Sequence, residues 1–465
     1  MRRLISLSLV ALLLSGCAVG PDYKRPSVNV PGTYRGAMPL EAAHPAAESL
    51  GDQKWWEVFE DPQLQELIRT ALQQNYDVRI AATRILQAQA QVGITRADQF
   101  PTINAGAQSV DERSARAKLF PAFETSAHQV DLSLAWELDF WGKYRRATES
   151  ARANLLATQW ARDAVTTTLV SDVAAAYFQL RELDLELEIS RRTLASRRDS
   201  LQLTQTLASG GATSMLDVRQ AEQLVFTAAE TIPDLERRIE QQENFISTLL
   251  GNNPGPIARG TKLTEQPHAP EIPAGLPSSL LERRPDIRQA EAQLIAANAQ
   301  IGVAKAAYFP QINLTASGGY QSSALTSLFS GPAGLWSFGG SLVQPIFAGG
   351  RIRSNVKFTE ARQQEAELVY QQSIQQAFRG VSDALVEYRK DREFREQQEQ
   401  LTYSAEDAAR LSERRYRGGA TSYLEVLTNE TNYFDAELGL AQAQLNELLG
   451  LVRIYRNLGG GWQEK

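Results

Sequence analysis

A single cysteine, Cys17, and three histidines, His44, His128 and His268, are all that the 465 residues offer to disulfide or imidazole chemistry. One thiol excludes an intrachain disulfide framework, and histidines so far apart lack metal-ligand spacing. There is no Ser/His/Asp set, phosphate-binding glycine loop or zinc spacing, so nothing points to an enzyme or to a cofactor. No stretch reaches the 18 or so apolar residues of a transmembrane helix. Any membrane crossing must then be made by β-strands, whose signal per segment is much weaker. The formal charge of −6 excludes the clustered basic surface that nucleic acid requires. Proline and glycine are both absent from residues 143–209, and no proline follows Pro345.

Residues that are 43% apolar and 22% charged can bury a sizeable core. At the N-terminus, Arg2 and Arg3 precede an apolar run from Leu4 to Leu14 and then Ser15-Gly16-Cys17. Charge, short apolar core and small residues read as a secretory signal over residues 1–16, too short to span a bilayer. The only thiol stands at the cleavage position. Leu14-Ser15-Gly16-Cys17 resembles a bacterial lipobox, which implies cleavage before Cys17 and a covalent lipid on it. Ala18, where an Asp would resemble an inner-membrane retention signal, favours the outer membrane. One lipid group anchors weakly, so a second attachment is expected.

The chain matches itself at an offset of about 208 residues, a period that marks a duplicated, domain-sized unit. Asp77, Arg79, Gly93, Phe100, Pro101 and Asn104 correspond to Asp286, Arg288, Gly302, Phe309, Pro310 and Asn313. Gly211-Ala212-Thr213-Ser214 corresponds to Gly419-Ala420-Thr421-Ser422. The first repeat, 61–251, reads as a helix ending before Phe100-Pro101, two strands, a long helix over 143–209, a turn at Ser209-Gly210-Gly211, and a shorter returning helix. As one helix, 67 residues would measure about 100 Å. A linker at 252–277 carries six prolines. The second repeat, 278–457, runs helix 278–306, strands within 310–347, long helix 351–417, turn Gly418-Gly419 and helix 421–457, with a tail at 458–465.

The returning helices carry apolar residues in alternating steps of three and four. In the second repeat these run Leu424, Leu427, Thr431, Phe434, Leu438, Ala441, Leu445, Leu448, Val452, Tyr455; in the first they run from Val218 to Leu249. That 3.5-residue period predicts knobs-into-holes packing. The strands alternate instead: Val130, Leu132, Leu134, Trp136, Leu138 and Phe140 with Asp131, Ser133, Glu137 and Asp139, and Ile312, Leu314, Ala316 and Tyr320 with Gln311, Asn313, Thr315 and Gln321. Period two fits a membrane barrel and equally a half-buried sheet of a soluble domain. Counting separates them further: four strands are too few to close a membrane barrel, and open edges cannot sit in lipid, so other copies must complete it.

Several segments together resemble the TolC-type outer-membrane efflux proteins, in the NodT/OprM-like lipoprotein branch. They are Cys17-Ala18-Val19-Gly20-Pro21-Asp22-Tyr23 with Arg25-Pro26, and Trp55-Trp56 with Phe59 and Asp61-Pro62. In the second repeat they are Leu280-Leu281-Glu282-Arg283-Arg284-Pro285-Asp286-Ile287, and Gln344-Pro345-Ile346-Phe347 with Gly349-Gly350. The resemblance covers nearly the whole mature chain. It implies a mixed α and β membrane protein: a homotrimer with a twelve-stranded β-barrel, four strands per chain, continued by a long periplasmic α-helical barrel. Residues 17–60, the 252–277 linker and the tail would form an equatorial belt. It further implies docking through the tips (Ser209, Gly210, Gly211; Arg417, Gly418, Gly419) onto a periplasmic adaptor fed by an inner-membrane pump, expected to be of RND type.

In such relatives the resting pore narrows near the tip at a leucine, with an acidic residue four positions on and an arginine three beyond. Here those positions are Leu424, Thr428 and Thr431. An acidic ring favours cations and ion pairs; threonines do neither strongly. The gate is therefore expected to rest on Leu424 and on nearby Glu425, Glu430 or Arg417, although Leu424 and Thr431 also read as plain seam positions. Arg283-Arg284-Pro285-Asp286 reads as a helix start rather than an anion site. The function implied is the outer-membrane channel of a tripartite efflux pump for drugs or other small solutes, with type I protein secretion or metal-ion efflux as alternatives.

Overall fold

A computed structural model describes residues 18–35, 49–115, 123–267 and 274–462. Cys17, His44 and His268 lie outside the described residues. In chain order the principal elements are α1 (Pro62–Gln74), α2 (Tyr76–Ala97), β1 (Thr102–Arg113), β2 (Glu124–Glu137), α3 (Lys143–Ser209) and α4 (Met215–Leu249). The second set is α5 (Pro285–Ala306), β3 (Gln311–Ser322), β4 (Gly334–Val343), α6 (Arg351–Arg417) and α7 (Tyr423–Asn457). Both long helices have 67 residues and both returning helices 35, so the duplication survives in the lengths. Among the described residues no helix is long and apolar enough to cross a membrane.

The helix expected across residues 61–98 is two helices. Asn75 divides them: its Oδ1 accepts from the backbone of Asp77 and Val78, at 2.8 and 3.3 Å, and its Nδ2 donates to Leu249 O at 2.9 Å. A side chain that caps a new helix is competing with the backbone of the old one. Pro233 has the opposite outcome: it sits inside α4. The buried Val225, Ala228, Leu235 and Ile239 around it hold the helix despite the lost backbone bond. The alternation read through Phe140 overshoots, because β2 ends at Glu137. Asp139 instead accepts from the backbone of Arg145, at 2.9 Å, at the start of α3.

The chain forms two compact units, neither of which is one repeat. The first takes the chain up to Ser27, Arg84–Gln159 and Gln289–Gln371; the second takes Val28–Thr83, Trp160–Arg288 and Gln372–Lys465. The first unit holds a four-stranded antiparallel sheet in the order β1-β2-β3-β4, with β1 and β4 at its edges. In the second unit α3 is packed from two sides. Leu194 meets Val225 and Ala228 of α4, and Ile189 meets Phe434 and Ala441 of α7. These are heptad positions of the returning helices, so the 3.5-residue period is used as knobs.

Also in the second unit, Asp61 ties the ends of several elements. Its side chain accepts from the backbone of Gln63 and Leu64, opening α1, and from Tyr177 Oη, Thr261 N and Gln266 Nε2 at 2.9, 2.9 and 3.1 Å. A buried carboxylate satisfied five times fixes where the proline-rich linker meets α3.

Candidate functional site

The strand register sorts the sheet into two faces. Ile103 opposes Leu134, Leu134 opposes Ala316, and Ala316 opposes Phe338; likewise Trp136 opposes Leu314. One face is thus apolar across all four strands, ending on β4 in Trp336, which is 83% exposed, Phe338 and Leu342. The other face carries Asn104, Gln108, Gln129, Asp131, Ser133, Asn313, Thr315, Ser317, Gln321, Ser337 and Ser341. An apolar band this broad, left bare, needs lipid or a partner against it, and the opposite polar face suits water. Near the strand ends the rings of Trp141 and Phe309 stack at 4.7 Å, and Trp136 Nε1 donates to Gln99 O at 3.1 Å. Amphipathic rings at the rim of an apolar band are the girdle expected at a membrane surface.

The N-terminal segment runs along the same unit as a strap. Val19 N donates to Trp141 O at 3.0 Å, Arg146 pairs with Asp22 at 2.8 Å, and Asn298 Nδ2 donates to Pro21 O at 2.9 Å. Arg25 reaches Glu291 with two nitrogens at 2.6 and 2.7 Å, and Tyr23 Oη donates to Glu291 Oε1 at 3.2 Å. Ala18, next to the predicted lipidation residue Cys17, lies against Gly142, where an added Cβ would stand 2.8 Å from its Cα. The segment that begins at Ala18 is thereby held at the junction of β2 and α3.

Arg283-Arg284-Pro285-Asp286 is a structural corner. Pro285 and Asp286 open α5, Arg284 pairs with Asp286 at 2.7 Å and donates to Asn457 O at 2.9 Å, and Arg283 pairs with Asp52. Among the described residues no group of three or more His, Cys, Asp or Glu could hold a metal.

The two helical tips are built alike. At Ser209, Gly210 and Gly211 the backbone closes by Gly210 N to Thr206 O, 3.1 Å, and Ala212 N to Leu207 O, 2.8 Å. At Arg417, Gly418 and Gly419 the equivalent bonds are Gly418 N to Arg414 O, 3.1 Å, and Ala420 N to Arg415 O, 2.8 Å. Gly211 and Gly419 adopt φ of 73° and 71°, the left-handed conformation that ends a helix and that side chains resist. Chemically the tips differ. Ser214 and Asp217 cap α4 reciprocally, whereas Ser422 makes no side-chain cap and the second tip carries Arg414, Arg415 and Arg417. Arg417 pairs with Glu413 at 2.5 Å and Arg415 with Glu425 at 3.3 Å.

The residues expected at the gate do not converge on one contact. Leu424 is 57% exposed, and Thr428 is exposed beside it. Thr428 Oγ1 donates to Leu424 O at 2.9 Å and half-buried Thr431 donates to Leu427 O at 2.8 Å, so both hydroxyls are spent on their own helix. Glu425 is held by Arg415 and Thr421. At this end the buried set is Tyr423 and Val426, with Tyr416 and Ala221, not Leu424. The rings of Tyr416 and Tyr423 meet edge to face at 5.2 Å. Glu430 lies against α3, and burial pushes its carboxyl up to about 7; Arg197 opposes that shift and Glu413 adds to it. Arg197, over the Phe434 ring at 5.0 Å, and the tyrosine pair escaped the sequence reading. Their only signal was an arginine and two aromatics beside a seam.

Comparison with known proteins adds to this geometry. The sequence profile described as "Outer membrane efflux protein" matches residues 67–252 and 276–460. The chain is 37% identical over 473 residues to the solvent efflux pump outer membrane protein SrpC of Pseudomonas putida, covering 98% of each. It is 34% identical over 458 residues to the cation efflux system protein CusC of Escherichia coli, again covering 98% of each. The solved outer-membrane channel OprN superimposes with a TM-score of 0.88 at 31% identity, over 96% of this chain and 100% of that one.

Proposed function

The chain belongs to the outer membrane efflux protein family and is an outer-membrane efflux channel, not an enzyme; from that premise we propose that three copies close one pore for small organic solutes. The observation that carries the reading is the sheet with two open edges. Among the described residues neither β1 nor β4 has a strand on its outer side, and the middle of one face is apolar across all four strands. Unpaired backbone in hydrocarbon costs several kcal/mol per group, so each β4 must meet the β1 of the next chain. Three chains of four strands give twelve, within the even-numbered range of membrane barrels.

Cys17, acylated after signal cleavage, supplies a covalent lipid in the outer membrane, and the strap from Val19 to Arg25 carries that anchor to the rim aromatics. The tips at Gly210-Gly211 and Gly418-Gly419 dock a periplasmic adaptor fed by an inner-membrane pump of RND type. Leu424 narrows the resting pore, with Thr428, Thr431 and Glu425 beside it. Identity to a solvent-efflux channel supports small organic cargo, and identity to a cation-efflux channel supports metal ions as the second reading. The mass of the detergent-extracted protein tests the assembly: three chains are expected, and one or two would refute it. Drug, solvent and metal-cation susceptibility of a deletion strain separates the cargoes.

A further inference from the structure

Asp131 stands mid-strand on the polar face of β2. We infer that it sets the charge selectivity of the barrel lumen, favouring cations and amine-bearing cargo over anions. The inference rests on the trimeric barrel proposed above. Its basis is the charge inventory of the polar face. Register and alternation place Glu112, Asp131 and Glu137 on that face and, among the described residues, no lysine or arginine. Glu137 is compensated: Lys143 Nζ lies 3.0 Å from it and Tyr144 Oη donates to it at 2.6 Å. Glu112 is the last residue but one of β1, at the loop end of the sheet. Asp131 alone places an unneutralised charge in the middle of the wall. Among the described residues its one side-chain hydrogen-bond partner is Gln129, whose neutral amide donates to Oδ1 at 3.0 Å and brings no opposite charge.

Its neighbours across both strands are glycines. Gly106 of β1 and Gly319 of β3 pair with Asp131 in register. A Cβ at Gly319 would stand 2.1 Å from Val130 O and 2.7 Å from Asp131 Cα, so no side chain can occupy that position. At Gly106 it would lie 3.4 Å from the carboxylate oxygen. The half-buried carboxylate is therefore flanked by bare backbone on both neighbouring strands. Symmetry puts three such carboxylates at one level of the pore, and a ring of acidic side chains in a narrow lumen is the device by which cation channels select. Opposite walls lie within a few Debye lengths of about 8–10 Å, so the ring acts on whatever passes at ordinary ionic strength.

The test is the reversal potential of the full-length channel in planar bilayers under a KCl gradient. The native protein should prefer K⁺ over Cl⁻; Asp131→Asn should bring the permeability ratio at least about two-fold closer to unity, and Glu137→Gln should leave it nearly unchanged. Asp131→Cys guards against a folding artefact within one protein. A sulfonatoethyl adduct on its thiol should restore the cation preference, and a trimethylammonioethyl adduct should invert it. The same reversal potential for native protein, Asp131→Asn and both adducts overturns the assignment. Absence of any conductance, together with a mass other than three chains, would instead overturn the barrel.

Discussion

Helices α2 and α5 hold the same place in the two repeats and have 22 residues each, yet one is bare and the other enclosed. In α5, Ile287, Ala290, Leu294, Ala299 and Ile301 are buried; in α2 only Ala81 is, and Leu86 and Ile94 are each 63% exposed. The enclosed helix has its partners in its own chain. Gln300 donates to Ser150 of α3 at 2.9 Å, Lys305 pairs with Glu360 of α6 at 3.1 Å, and Glu291 takes the strap. A duplicated unit that closes on itself once per chain leaves one copy unsatisfied. The next chain must supply for α2 what α3, α6 and the strap supply for α5, and burial in one repeat thereby maps an interface in the other.

The largest effect should come from placing charge on the bare face. Leu86→Asp with Ile94→Asp is expected to abolish the trimer, seen as a single-chain mass after extraction, because charge buried without a partner is not tolerated at such contacts. A retained trimer would mean that α2 faces solvent. Next comes the matched pair Leu294→Ala and Ile85→Ala. The first, fully buried, should cost about 2–5 kcal/mol of thermal stability, and the half-buried second clearly less. Equal losses would erase the contrast. The helical glycines sharpen it further. A Cβ at Gly302 would stand 2.6 Å from Val19 O, whereas nothing lies within 4 Å of Gly93. Gly302→Ala should loosen the strap by about 1–3 kcal/mol, read as faster proteolysis near the N-terminus, while Gly93→Ala, with nothing near it in its own chain, should leave that proteolysis unchanged.

The smallest effect separates α4 from α7. Glu430, near 7, holds a proton in the folded protein that an unfolded chain releases near 4.5. Stability is then greatest below about 4.5 and declines as pH rises towards 7, by about 1 kcal/mol for a half-buried group. Glu430→Gln should flatten that part of a melting-temperature profile. Its counterpart on α4, Glu222, instead pairs with Arg219 at 2.6 Å.

Much of this was legible because helix-breaking residues are so unevenly placed. With no proline or glycine between Lys143 and Ser209, the limits of α3 could be read directly, and the repeat carried them over to α6. Alternation gave the sheet its two faces. The sequence was silent where one side chain decides. Asn75 breaks a helix because its amide has Leu249 O to bond, a partner 174 residues away. Pro233 fails to break one because packing outweighs propensity. Leu424 continues an apolar period that the structure abandons there, since Tyr423 and Val426 fill the space beside Tyr416. Asp131 looked like any polar residue of an alternating strand until the register set it between two glycines.

The open edges of the sheet carry a genetic consequence. If every barrel wall is shared, no subunit conducts alone, and one faulty strand spoils the work of two sound neighbours. In a cell making equal amounts of sound and faulty chains, random mixing would leave only about one channel in eight wholly sound. A chain altered at β1 or β4 but still able to assemble should therefore be dominant over the normal gene, whereas a chain that cannot assemble should be recessive.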